Sequence, residues 1–169
     1  MLNRALSLMV LAAFGLTGTS ALADGSVGQK GFLKPVTDAQ YLEECGSCHF
    51  AYQAELLPKR SWEKMLSNLH DHFGDDASLE GPGLEAVKAY LLNNAGETSN
   101  SKRAIKLLQS TGDKTYLRIS DIPYFKREHH EISPATLARP AIKSWANCAA
   151  CHPDAAKGNF EEEYVKIPK

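Results

Sequence analysis

The sequence lacks an excess of either charge: 19 lysines and arginines stand against 20 aspartates and glutamates in 169 residues, a formal net charge of −1. A broad basic face for nucleic acid is therefore not expected. Long apolar runs are scarce. The one at the start, Ala5 to Leu16, is too short to span a bilayer, and no later stretch comes closer. Methionine is rare: there are three, and Met1 and Met9 lie in the opening stretch, leaving only Met65 downstream. Alternating apolar and polar runs are almost missing, so there is little β signal. The chain is nevertheless 43% hydrophobic, too apolar for disorder and long enough for one domain.

The opening stretch reads as a targeting segment. Arg4 supplies a basic start, Ala5 to Leu16 an apolar centre, and Ala21-Leu22-Ala23 a small-x-small cleavage pattern before Asp24 and Gly25. Residues 1–23 are expected to be a cleaved signal peptide and residues 24–169 a single exported domain. The competing reading is an uncleaved anchoring helix.

All four cysteines fall in two copies of one pattern: Cys45-Gly46-Ser47-Cys48-His49 and Cys148-Ala149-Ala150-Cys151-His152. C-x-x-C-H is a c-type haem attachment pattern. Two thiols about one helical turn apart can each add to a haem vinyl group, and the next residue then lies under the ring, where its imidazole reaches iron. Two disulfides, a redox dithiol or a Cys₄ zinc site would use the same thiols. None of these gives a reason for a histidine directly after both pairs. Two covalent haems are the expected cofactors, with His49 and His152 as proximal ligands.

A second axial ligand must close each iron or leave it open. Met65 can serve one haem at most, and it lies in the middle of an apolar stripe. Four further histidines come as two pairs, His70 with His72 and His129 with His130. His72 follows His49 by 23 residues, and His129 precedes His152 by 23. One ligand from each pair, serving the nearer motif, is the expectation. A helix from Ser61 to about His72 would place His72 near the stripe of Trp62, Met65, Leu66, Leu69 and Phe73, with His70 to the side. His129 shares a face with Phe125, four residues earlier, but pattern alone leaves His130 open.

The expected architecture is mainly α, with short helices and loops around two haems. The spacing predicts helices over Val36–Cys48, capped by Thr37 or Asp38, then Ser61–His72, Leu84–Asn93 after the Gly81-Pro82-Gly83 break, and Lys102–Gln109. Thr115–Ile119 reads as a short extended piece. A helical turn at Ser133-Pro134 precedes a helix over Ala141–Cys151, and the tail from Asn159 reads as a polar wrap. The flanks of the two motifs do not repeat, so no tandem duplication is expected.

Beyond the motifs, Cys48-His49-Phe50-Ala51-Tyr52, Leu56-Leu57-Pro58, Arg60-Ser61-Trp62 and His72-Phe73-Gly74 resemble the small periplasmic dihaem cytochromes c of bacteria. So do Arg118-Ile119-Ser120, Tyr124-Phe125, His129, Ala146-Asn147-Cys148 and Gly158-Asn159-Phe160. The resemblance covers almost all of the chain after the leader. It implies two bis-histidine c-type haems, with His72 and His129 as distal ligands. His130 stands where the family's pattern leads one to expect a basic residue. The resemblance also implies redox partners: a small oxygen-binding monohaem cytochrome and membrane b-type cytochromes.

The expected function is periplasmic electron transfer by a monomer at low potential, since two imidazoles hold the potential below that of His/Met ligation. The cations Lys102, Arg103, Lys106, Lys126 and Arg127, and the acidic run Glu161 to Glu163, are candidate docking charges or ordinary solvated surface. Two other readings use the same motifs. One is a haem enzyme or gas-binding protein with one open iron; the other is the electron-transfer subunit of a larger reductase.

Overall fold

The structure, a computed structural model, describes residues 31–169. The expected signal peptide lies outside the described residues. Seven short α-helices run in chain order: α1 Ala39–Gly46, α2 Lys59–Leu66, α3 Gly81–Asn93, α4 Lys102–Thr111, α5 Pro123–Glu128, α6 Pro134–Leu137 and α7 Cys148–Cys151. Single 3₁₀ turns link several of them. No strand is formed among the described residues; an isolated bridge pairs His72 with Asp75. The mainly α class expected from the sequence is the class found.

Local chemistry explains most boundaries. Asp38 caps α1, accepting the Tyr41 amide at 2.8 Å, a cap of about 1 kcal/mol. That helix ends at Gly46, so Cys48 lies in the turn after it rather than inside a helix reaching residue 48. α2 starts at Lys59, not Ser61, because Pro58 has no N–H to donate and sits where a helix needs none; Ser61 is buried one turn inside. It stops at Leu66, well before His72, where Ser67 Oγ donates back to the Lys64 carbonyl at 2.8 Å. α3 begins at Gly81 itself, since Pro82 in a first turn starts a helix instead of breaking it. α4 runs to Thr111 and ends at Gly112, whose φ of +50° suits glycine.

The extended piece expected at Thr115–Ile119 forms no strand and leads into a 3₁₀ turn at Ile119–Asp121. The helix expected over Ala141–Cys151 shrinks to α7. Lys143 takes a φ of +65°, and Asn147 Nδ2 bonds the Ile142 carbonyl at 3.2 Å, so the chain turns there instead of coiling. Ser133 does cap α6, accepting the Thr136 amide at 3.1 Å.

The core is built by the first two-thirds of the described chain. α3 packs on α1 and α2, and α4 packs on α5 and on the turn at Ala54–Leu56. Leu33, Tyr41, Leu56, Leu57, Trp62, Val87, Leu91, Leu107, Ile122 and Tyr124 form one buried cluster, with Met65 packed at its edge. Trp62 Nε1 donates to the Ala54 carbonyl at 2.8 Å. Arg60 reaches Thr111 Oγ1 at 2.7 Å and the Gly112 carbonyl at 2.6 Å, tying the start of α2 to the end of α4. The Leu-Leu-Pro and Arg-Ser-Trp segments are thus structural. The tail is pinned rather than loose: Leu33 N donates to the Gly158 carbonyl at 2.9 Å, Lys166 N to the Cys151 carbonyl at 2.9 Å, and Arg139 to the Pro168 carbonyl at 2.6 Å.

Candidate haem sites

The fold gathers the histidines into two pairs, each holding one motif histidine and one distant one. His49 and His72 have ring centroids 6.1 Å apart with planes at 21°; His129 and His152 are also 6.1 Å apart, with planes at 71°. His70 and His130 are exposed and belong to neither pair. His130 turns its Nδ1 to its own helix, 2.9 Å from the Arg127 carbonyl.

The common spacing has a chemical meaning. Two metal–imidazole bonds of about 2 Å, plus roughly 1 Å from each ring centre to its nitrogen, also give about 6 Å. Direct ring-to-ring stacking would be closer. The tautomers fit as well. His49 Nδ1 lies 2.8 Å from the Phe50 carbonyl and His129 Nδ1 lies 2.9 Å from the Phe125 carbonyl. A carbonyl only accepts, so Nδ1 carries the proton in both rings and Nε2 keeps its lone pair. A backbone carbonyl holding the outer nitrogen is the usual support of a ligating histidine.

Burial also favours the ligand form. Desolvation, aided by the neighbouring His129, pushes the His152 pKa down to about 4. Desolvation lowers those of His129 and His72, the latter with help from His49. Neutral imidazoles are what a metal takes. All four cysteines are free thiols, so neither disulfide arrangement is present. Among the described residues no cluster of three or more His, Cys, Asp or Glu side chains is placed to hold a metal ion, which removes the Cys₄ zinc reading. Burial pushes the thiols of Cys45 and Cys148 up to about 11. Both are half-buried, and Cys45 packs against the main core.

His72 reaches its place by a route different from the helical one expected. It ends a 3₁₀ turn, Leu69–Asp71, and opens a two-residue hairpin whose central residues, Phe73 and Gly74, have φ of +61° and +102°. His72 N donates to the Asp75 carbonyl at 2.8 Å, and Asp75 N to the His72 carbonyl at 3.3 Å. Positive φ at both central positions matches the twist of a tight hairpin. Phe73 is 42% exposed, and the Arg118 guanidinium sits 3.9 Å from its ring centroid. That contact offsets part of the roughly 1–2 kcal/mol a bulky residue spends at positive φ.

His129 is the C-cap residue of α5 and stacks on Phe125, four residues earlier, at 3.9 Å and 14°. Trp145 meets both rings edge-on, at 5.6 Å and 5.8 Å. Phe160 lies 5.3 Å from His152. Sequence reasoning did not single out Trp145, whose position beside His129 depends on the turn at Lys143.

A family model described as dihaem cytochrome c matches residues 41–160. Among solved structures, the chain is similar to a dihaem cytochrome c from Rhodobacter sphaeroides, with 43% identity over 77% of this chain and 100% of that one, TM-score 0.65. It is also similar to a dihaem cytochrome type c from Shewanella baltica OS155, with 35% identity over 77% of this chain and 92% of that one, TM-score 0.63. No curated protein matches. The chain belongs to the dihaem cytochrome c family, and its cofactors are two c-type haems. As a class these are electron-transfer haem proteins. Among the described residues no helix is long and apolar enough to cross a membrane.

Proposed function

We propose that the protein is a periplasmic electron carrier, exported by its first 23 residues, with both irons held between two histidines. In this reading Cys45 and Cys48 tether the first haem, ligated by His49 and His72. Cys148 and Cys151 tether the second, ligated by His152 and His129. The carrying observation is the pair of 6.1 Å imidazole separations, reached independently in two parts of the chain with unrelated local structure.

Each haem, when bound, supplies a one-electron ferric/ferrous couple. The chain does the rest. The thiols anchor, the carbonyls of Phe50 and Phe125 hold the ring tautomers, and Phe125, Trp145 and Phe160 keep water from the second pair. With both axial positions filled by imidazole, no position is left for a substrate, which favours electron transfer over bond chemistry. Two imidazoles hold both potentials low.

In this reading the protein is a monomer, and the family likeness points to small redox proteins as partners, such as an oxygen-binding monohaem cytochrome, or a membrane b-type cytochrome. Three of the candidate docking cations are paired: Arg103 with Glu161 at 3.0 Å, Lys126 with Asp121 at 3.5 Å and Arg127 with Glu128 at 3.4 Å. Contacts with such partners are expected to be small in area, as in transient redox encounters, and salt-sensitive to the extent that the remaining charges steer them.

The test is ligand deletion. Mass spectrometry of the exported protein should show two haems, and the ferrous protein should bind no carbon monoxide. His72→Ala and His129→Ala should each convert one haem from low to high spin by EPR and open it to carbon monoxide, while His70→Ala and His130→Ala do neither. Stoichiometric carbon monoxide binding by the unmodified protein would overturn the reading in favour of an open-iron enzyme or gas sensor.

A further inference from the structure

Two consecutive residues just after the first motif grip the second motif on both sides. Tyr52 Oη donates to the Ala146 carbonyl at 2.7 Å, two residues before Cys148. Gln53 Nε2 donates to the Ala155 carbonyl at 2.7 Å, three residues after His152. Neighbouring side chains on an extended stretch point to opposite sides. The chain between residues 146 and 155, which holds the whole attachment motif, is thus caught at each flank. The contacts join positions 94 and 102 residues apart in sequence.

The grip is built into the first site at its other end. The Tyr52 ring lies 5.0 Å from the His49 ring and 5.6 Å from Phe50, and its backbone carbonyl accepts the Tyr41 hydroxyl at 2.8 Å. Gln53 is 1% exposed, so its amide is committed to the interior. By contrast, α7 itself has its main packing only with the turn that follows it, Ala155–Lys157. Little else in the helical scaffold tells the second attachment segment where to sit relative to the first.

We propose that Tyr52 and Gln53 are positioning residues that set the distance and angle between the two haems, and hence how strongly the redox state of one is felt by the other. The proposal rests on the haem reading above. A charge on one iron acts on the other through a Coulomb interaction that weakens with distance. The charge lost when the first haem is reduced therefore shifts the potential of the second by an amount that the clasp controls. A clasp that loosens lets that influence fall.

The experiment uses the loaded protein with Tyr52→Phe, which removes one oxygen and keeps the ring on His49, and Gln53→Met, which keeps the length and removes the amide. Tyr164→Phe, at an exposed position, is the control. Haem count and the low-spin EPR of each site are checked first. A loss of haem or a high-spin signal in the unmodified protein means the haem reading has failed, not the clasp. With two low-spin haems present, the readouts are the bisignate Soret circular dichroism, which reports haem–haem geometry, and the gap between the two midpoint potentials. The expected result is a weaker Soret couplet and a narrower gap in Tyr52→Phe, more so in the double variant, and neither in Tyr164→Phe. If Gln53→Met does not fold, Tyr52→Phe decides alone. An unchanged couplet and gap in Tyr52→Phe, or a change confined to the EPR of the first site, overturns the proposal.

Discussion

At the first histidine pair, His49 and Cys48 are exposed and the turn that carries His72 holds Phe73 out in solvent, yet the helix behind them packs into the main core through Tyr41 and Cys45. At the second pair the reverse holds. His129 and His152 are half-buried between Phe125, Trp145 and Phe160; α5 reaches that core through Tyr124 and Phe125, while α7, which carries the second motif, contributes no residue to it. One site has a rigid back and an open front; the other has an enclosed front and is tied down by long-range hydrogen bonds. The two histidine pairs thus sit in two dielectric settings. Burial penalises the more highly charged ferric state, so the second site is expected at the higher potential and the first, exposed site is suited to receiving electrons.

The comparison is broken most directly by removing the enclosure. Trp145→Ala should cost about 2–4 kcal/mol, towards the lower end because the ring is only partly buried, and should lower the potential of the second site. Phe73→Ala at the first site should cost less than about 1 kcal/mol. Thermal melts of the loaded proteins check both, and equal losses would erase the contrast. Next in size is the order of reduction. The planes at 21° in the first pair and 71° in the second should give distinct ferric EPR signals, rhombic for the near-parallel pair and strongly anisotropic for the near-perpendicular one. In a reductive titration the second signal should vanish first.

A smaller effect sharpens the other side of the comparison. Burial raises the Tyr41 phenol pKa well above its ordinary value of 10.0. Above pH 10 the unfolded chain releases this proton while the folded chain keeps it, so the unfolded state binds fewer protons and stability falls as pH rises. Alkaline unfolding monitored at the first site should be delayed in Tyr41→Phe relative to other tyrosine substitutions such as Tyr164→Phe, once the lost hydrogen bond to the Tyr52 carbonyl is allowed for. The smallest expected effect is Phe73→Gly. Relief of the positive φ and loss of the Arg118 contact are each about 1 kcal/mol and opposed, so the melt should scarcely move.

Much of this was legible in the sequence where the governing signals were local. The two C-x-x-C-H patterns, a cap at Thr37 or Asp38, the helical turn at Ser133-Pro134, the extent of α4 to within two residues and the i,i+4 relation of Phe125 and His129 all depend on a few neighbouring residues. The choice of His72 over His70 illustrates the limit. An apolar stripe running on to Phe73 predicts one long helix, but Ser67 and Asn68 end it and a hairpin with a phenylalanine at positive φ delivers the histidine. The stripe named the same residue for a conformational reason that does not hold. The expected helix over Ala141–Cys151 failed likewise at Lys143, a non-glycine residue at positive φ that no local pattern announces. The contacts of Tyr52, Gln53 and Trp145 were out of reach because their partners are distant in sequence or depend on that turn.

The strap formed by Lys166 on the Cys151 carbonyl and by Arg139 on that of Pro168 has a practical corollary for anyone preparing the protein. A purification handle fused after Lys169 would hang from the piece of backbone that closes over Cys151, so recombinant material tagged there is expected to report a disturbed second chromophore beside a faithful first one.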